Sequence, residues 1–318
     1  MSSRRGGPPA LRVDGREAPP VARIALGPRG IGLAEAEAPE GAELAPGPVL
    51  RVARGVPAAG HEIAVVAGGR LALAAAPGVA RTLRLPDLEV LFDRRPPGLA
   101  RVQGAALANA GLLLDDAGWR AVVLPSLGDL ASDLGPGPVA LRADARRIAV
   151  VAGGELTEYD LPSGEAAVEG LPVPDAIAYA DGGRLVTALG ATVGAPAADA
   201  GAGSPVVALA AAPEAPLVLA RHADGSASLW DLDAGARVGG FAPPIDGPLA
   251  MSLSPDGSLA ALGTPFATPA AACVVRARDG ALVRRVEDAR AIAFTPAGGL
   301  LVGGEWGMIA LEPPVEET

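Results

Sequence analysis

The chain contains no lysine; all 26 of its basic residues are arginine. That absence excludes a phosphate-cradling loop ending in Gly-Lys-Ser/Thr, a Schiff-base lysine, and a serine nucleophile worked by a lysine base. A single cysteine, Cys273, excludes an internal disulfide and a cysteine-rich metal site. The two histidines, His61 and His222, stand far apart in sequence, and no His-Glu-x-x-His, Cys-x-x-Cys or Gly-x-Ser-x-Gly pattern occurs. With one asparagine (Asn109) and one glutamine (Gln103) as well, neutral and imidazole metal ligands are scarce. Neither a metal nor another cofactor is expected. No 18-residue apolar run exists to cross a membrane as a helix. The twin Arg4-Arg5 is not followed by the apolar stretch of an export signal, so a cytoplasmic protein is expected.

What the chain does have is small residues. Of its 318 residues, 69 are alanine, 43 glycine and 32 proline, while aromatics make up only 3%. Glycine and proline fall between short clusters of valine and leucine, which is the punctuation of many strands and turns. An all-β chain follows. The net charge of −10 is uneven: residues 1–30 hold six arginines and two acids, residues 121–318 hold 11 arginines and 24 acids. An acidic body repels phosphate backbones, so no nucleic-acid partner is expected. Arginine in every basic role fits a GC-rich coding bias. Residues 1–20 read as a flexible tail.

A repeat organises the rest. Residues 217–238 run strand, Asp224-Gly225 turn, strand ending in Leu229-Trp230-Asp231, turn, strand. Residues 249–263 repeat the idea around Ser254-Pro255-Asp256-Gly257. The second strand of this unit recurs at Leu71, Leu112, Ile148, Leu185, Leu217, Leu259 and Leu300, spaced 41, 36, 37, 32, 42 and 41 residues apart. The segment 175–204, with its Gly-Ala-Pro-Ala-Ala-Asp-Ala-Gly-Ala-Gly run, is poor in strand formers, so this unit is expected to lack a proper outer strand.

The phrases SPDGSLAALG (254–263) and ADGSASLWD (223–231) resemble the WD-repeat β-propeller family, most strongly over residues 205–312. The resemblance implies four-stranded blades around a central channel, with strands a to d counted from the inside outward. Seven anchors then predict seven four-stranded blades. The last unit has room for three strands, so residues 48–56 are expected to close the ring, with 21–47 as an extra hairpin. The alternative is eight blades, with 21–58 forming a degenerate one. The domain is expected over 21–318, its repeats over about 60–312.

In the fullest WD repeats a histidine, a serine or threonine, an aspartate and a tryptophan share a hydrogen-bonded network. Asp224 and Trp230 stand in the matching places, but the Gly-His pair preceding strand a is missing in every unit, so Trp230 is read as a packing residue. Gly27–Gly32 reads as a turn, and Asp115-Asp116 reads first as a tight turn. Arg276, Arg278, Arg284 and Arg285 read as charges guarding an outer strand.

In the family the b–c turns and the loops between blades share one face. Asp115, Asp116, Trp119, His222, Asp224, Phe266, Glu305 and Trp306 all fall on it. Aromatics beside acids predict a face that binds a protein or peptide, one carrying basic residues, the alternative being that Trp119 and Trp306 tuck between adjacent blades. The expected function is a non-catalytic protein–protein interaction scaffold. The alternatives are a propeller enzyme of lactonase or sugar-processing type with its site in the channel, and a regulatory propeller working with an ATPase or kinase.

Overall fold

The computed structural model describes residues 12–13, 16–17, 23–27, 30–34, 51–52, 62–76, 78–85, 88–96, 98–99, 101–171, 173–194, 203–247, 249–265, 270–287, 289–304 and 307–311. The strand-and-turn grammar becomes six blades of four antiparallel strands. Blade I comprises Glu62–Val66, Leu71–Ala76, Val79–Arg84 and Glu89–Arg94. Blade II comprises Arg101–Gly104, Ala110–Asp115, Gly118–Val123 and Gly128–Ala131. Blade III comprises Val139–Leu141, Arg147–Ala152, Glu155–Asp160 and Ala166–Leu171. Blade IV comprises Val206–Ala211, Leu217–His222, Ala227–Asp231 and Ala236–Phe241. Blade V comprises Ala250–Leu253, Leu259–Gly263, Ala271–Arg276 and Leu282–Glu287. Blade VI comprises Ala289–Phe294, Leu300–Gly304, Gly307–Leu311 and, from the other end of the chain, Arg51–Val52.

The expectation of seven four-stranded blades, or of eight, is therefore corrected to six. Between blades III and IV stands a sheet with three strands among the described residues, Ala176–Tyr179, Leu185–Leu189 and Thr192–Val193. Its third strand is two residues long, and the sequence that follows is mostly alanine, proline and glycine, which are poor strand formers. An eighth blade is ruled out by the pairing of Arg23–Gly27 with Gly30–Ala34, which form a separate two-stranded sheet in register Gly27↔Gly30. In blade VI, Val52 pairs with Ile309 and Arg51 with Ala310. Within the stretch read as a tail, Arg12–Val13 and Arg16–Glu17 form a hairpin whose first strand extends blade V, Val13 facing Val286. The outer strand that carries Arg284 and Arg285 is thus backbone-paired as well as charged.

Inner strands pack successively around the ring, from blade I through the three-stranded sheet to blade VI and back to blade I. Each junction has its own apolar cluster, such as Leu73, Leu113 and Val122 between blades I and II, and Leu219, Leu253 and Leu262 between IV and V. A second strand such as Leu71–Ala76 is buried on both faces, so it reads as an unbroken apolar run instead of an alternating one. The outer strand Glu89–Arg94 is largely exposed, with Val90 and Phe92 open to solvent. Alanine and glycine let the blades approach closely. A Cβ added to Gly104 of blade II would lie 2.4 Å from Val66 Cγ1 of blade I. Cys273 is buried in the blade IV–V cluster, and burial pushes its thiol up to about 12, out of reach of thiolate chemistry. Among the described residues no helix is long and apolar enough to cross a membrane.

Candidate functional site

Strand a of each unit begins on the face that carries the b–c turns. The first residues of those inner strands enclose a cavity of about 340 Å³ that forms this end of the central channel. Apolar residues such as Ile177, Leu209 and Ile292 contribute to its wall, whose exposed surface is more polar than apolar. Four polar side chains line it: Glu62, Arg101, Gln103 and Asp175.

Glu62 opens strand a of blade I and is only 5% exposed. Its two oxygens reach across to blade II. Oε2 accepts from the Val102 backbone N–H at 2.8 Å, and Oε1 accepts from Arg101 Nε at 3.1 Å. Burial raises the Glu62 pKa above the ordinary carboxylate value, and the Arg101 charge opposes that rise. Arg101 is half exposed, and only its Nε has a partner among the described residues. Gln103, two residues on, holds its carboxamide oxygen buried with no hydrogen-bond partner among the described residues. Asp175 is exposed, and one of its oxygens accepts from the Gly190 N–H at 2.7 Å. A further guanidinium, Arg221, donates from Nη2 to the Gly247 carbonyl at 3.2 Å in the loop leading into blade V. Burial, and after it the positive charge of Arg101, holds Arg221 below the usual guanidinium range.

The face read from the sequence looks different in three dimensions. Trp119 is 7% exposed and packs with Val139 and Ile148 between blades II and III. Asp115 is buried as well; its Oδ1 accepts from Ala117 N–H at 2.9 Å and its Oδ2 meets Arg120 Nη2 at 2.8 Å. His222 is 7% exposed. Asp116 and Asp224 are exposed, and Asp224 is engaged by its own turn, where Oδ1 accepts from the Ser226 N–H at 2.9 Å and the Ser226 hydroxyl at 2.7 Å. Phe266, Glu305 and Trp306 lie outside the described residues. Asp115 and Asp224 thus brace their own turns. Among the described residues no group of three or more histidine, cysteine, aspartate or glutamate side chains comes together to hold a metal ion.

Trp230 does more than pack. Its indole Nε1 donates to the Ser228 hydroxyl at 2.8 Å, and that hydroxyl lies 2.7 Å from His222 Nε2. His222 Nδ1 lies 2.8 Å from the Ser204 carbonyl oxygen. A carbonyl can only accept, so Nδ1 carries the proton and Nε2 accepts from Ser228. The result is a one-directional relay from Trp230 through Ser228 and His222 to the loop before blade IV. The Ser204 hydroxyl then accepts from the Asp224 backbone N–H at 2.9 Å. The histidine comes from the end of strand b, replacing the absent Gly-His pair.

Comparison with known proteins gives the fold alone. No protein-family model matches the chain, and no curated protein matches it. A solved structure of a propeller protein, described as Kluyveromyces lactis Hsv2 with complete loop 6CD, is similar, with a TM-score of 0.54 at 13% identity over 78% of this chain and 90% of that one. At that identity the shared property is the blade architecture.

Glu62, Arg101 and Asp175 were not signalled by any local motif. They do share a sequence pattern: one charged residue at or just before the start of an inner strand that continues Ile-Ala-Val-Val, Val-Gln-Gly or Ala-Ile-Ala.

Proposed function

We propose that the chain is a non-catalytic interaction scaffold, a WD-repeat-like propeller that docks a protein or peptide over the end of its channel where the inner strands begin. The observation that carries this reading is the make-up of that mouth. It is an open recess of mixed polar and apolar surface, with Arg101 half exposed and its terminal nitrogens unengaged by described residues. A recess of this size admits one or two side chains of a partner. Its surrounding turns are already ordered by Asp115 and Asp224, so docking costs little further ordering of the platform. Exposed Asp116 and Asp224 belong to the rim.

The test is affinity capture from native extract followed by quantitative mass spectrometry, with the wild type and Val207→Glu as baits. Val207 lines the recess and is 48% exposed, so the change alters the mouth without touching the core. At least one protein is expected to be recovered by the wild type and depleted by the variant. Identical recoveries from two baits with the same melting temperature would overturn the proposal.

A further inference from the structure

Resting on that scaffold reading, we infer that the channel mouth recognises an acidic side chain of the docked segment, its carboxylate seated on Arg101 and an adjacent backbone N–H given to Gln103. This reverses the charge expected of the partner from sequence. Of the acids that suggested a basic partner, Asp115 is buried against Arg120 and Asp224 caps its own turn, while Asp116 is exposed; at the recess itself Glu62 is buried against Arg101 and Asp175 accepts the Gly190 N–H.

The unspent donors at the mouth belong to Arg101. Arg101, which lines the recess, uses only Nε within the described structure, which leaves the two terminal nitrogens of a half-exposed guanidinium without a described partner. Such a fork matches a carboxylate with two parallel N–H donors. Glu62, locked against the Val102 N–H and Arg101 Nε, holds the fork in place before any ligand arrives. Gln103 adds an unmatched acceptor two residues along the same strand, roughly 6.6 Å away at the backbone. A buried acceptor without a donor is costly, and its terminal amide turns easily, so a ligand N–H relieves that cost. An aspartate or glutamate within a peptide carries both groups, a carboxylate and its own backbone N–H. A basic side chain could satisfy only the second.

Fluorescence anisotropy of the full chain tests this with three labelled peptides, Gly-Glu-Asp-Glu-Asp-Gly, Gly-Arg-Arg-Arg-Arg-Gly and Gly-Ser-Ser-Ser-Ser-Gly. The acidic peptide is expected to bind, more weakly as salt rises. Arg101→Ala should weaken it roughly tenfold or more, and Gln103→Leu, which leaves the Glu62 pair alone, roughly fivefold. Melting temperatures of both variants accompany the titrations, and Gln103→Leu serves if Arg101→Ala fails to fold. Acidic binding no tighter than that of the serine peptide, or unchanged in a folded variant, overturns the inference. Preferential binding of the arginine peptide overturns the acidic assignment while leaving a peptide-docking scaffold standing. Whether any partner docks at all is read separately from the Val207→Glu capture.

Discussion

Ser228→Ala is the substitution that tests the relay in blade IV. The Ser228 side chain is fully buried, and its one hydroxyl serves two partners, accepting from Trp230 Nε1 and donating to His222 Nε2. Alanine removes both bonds and leaves the partners in place. His222, 7% exposed, keeps a ring nitrogen that water cannot readily reach, which costs about 1–3 kcal/mol. The indole N–H belongs to a half-buried ring and is partly rehydrated, which adds about 0.5–1 kcal/mol. The variant should therefore lose about 1.5–4 kcal/mol. At about 2–4 °C per kcal/mol for a large domain, its Tm falls by roughly 3–16 °C. Calorimetry with a parallel urea titration gives the number. Ser226→Ala, which removes an exposed turn hydroxyl bonded to Asp224, is the control and should cost no more than about 1 kcal/mol. Trp230→Phe deletes only the shared N–H among the polar groups, so a cycle with Ser228→Ala should show a coupling of about 1 kcal/mol. A Ser228→Ala variant within about 0.5 kcal/mol of wild type, or strict additivity in the cycle, would refute the relay.

Other outcomes follow from the packing and the channel. Trp119→Ala empties the centre of the blade II–III cluster and should cost about 3–5 kcal/mol in chemical denaturation, whereas an exposed binding tryptophan would cost little. Gly104→Ala drives a Cβ to 2.4 Å from Val66 Cγ1 and should destabilise by about 1–3 kcal/mol, read as a fall in the urea midpoint. Glu62 has a raised pKa in the folded chain, so its contribution to stability is greatest below its ordinary value of 4.5 and declines as pH rises through the folded value. The stability of wild type relative to Glu62→Gln should accordingly fall on going from below pH 4.5 to neutrality; a difference independent of pH, or one that grows with pH, contradicts the burial of this carboxylate.

Local chemistry made much of the fold legible. Asp224-Gly225 and Ser254-Pro255-Asp256-Gly257 place turns by their own hydrogen bonds and by glycine at φ +87° and +73°. Each of the seven anchors, Leu71 to Leu300, lies in or begins the second strand of a sheet. The error lay in how many of those sheets are complete, because an outer strand needs side chains to pack and the residues after Val193 supply mostly alanine, proline and glycine. Trp119 looked exposed because it follows a turn; its burial depends on Val139 and Ile148 of the next blade, a contact no local pattern encodes. His222 looked isolated for the same reason, since its partners Ser204 and Ser228 stand 18 residues before it and 6 after. The channel side chains come from different units and meet only when the ring closes.

Hydrogen exchange of the full chain, alone and saturated with a captured partner, tests the docking site most directly. New protection is predicted over 101–103, 175–177 and 207–209, where inner strands begin around the recess. Protection confined to outer strands such as Glu89–Arg94 or Ala236–Phe241, with the channel mouth unchanged, would contradict it.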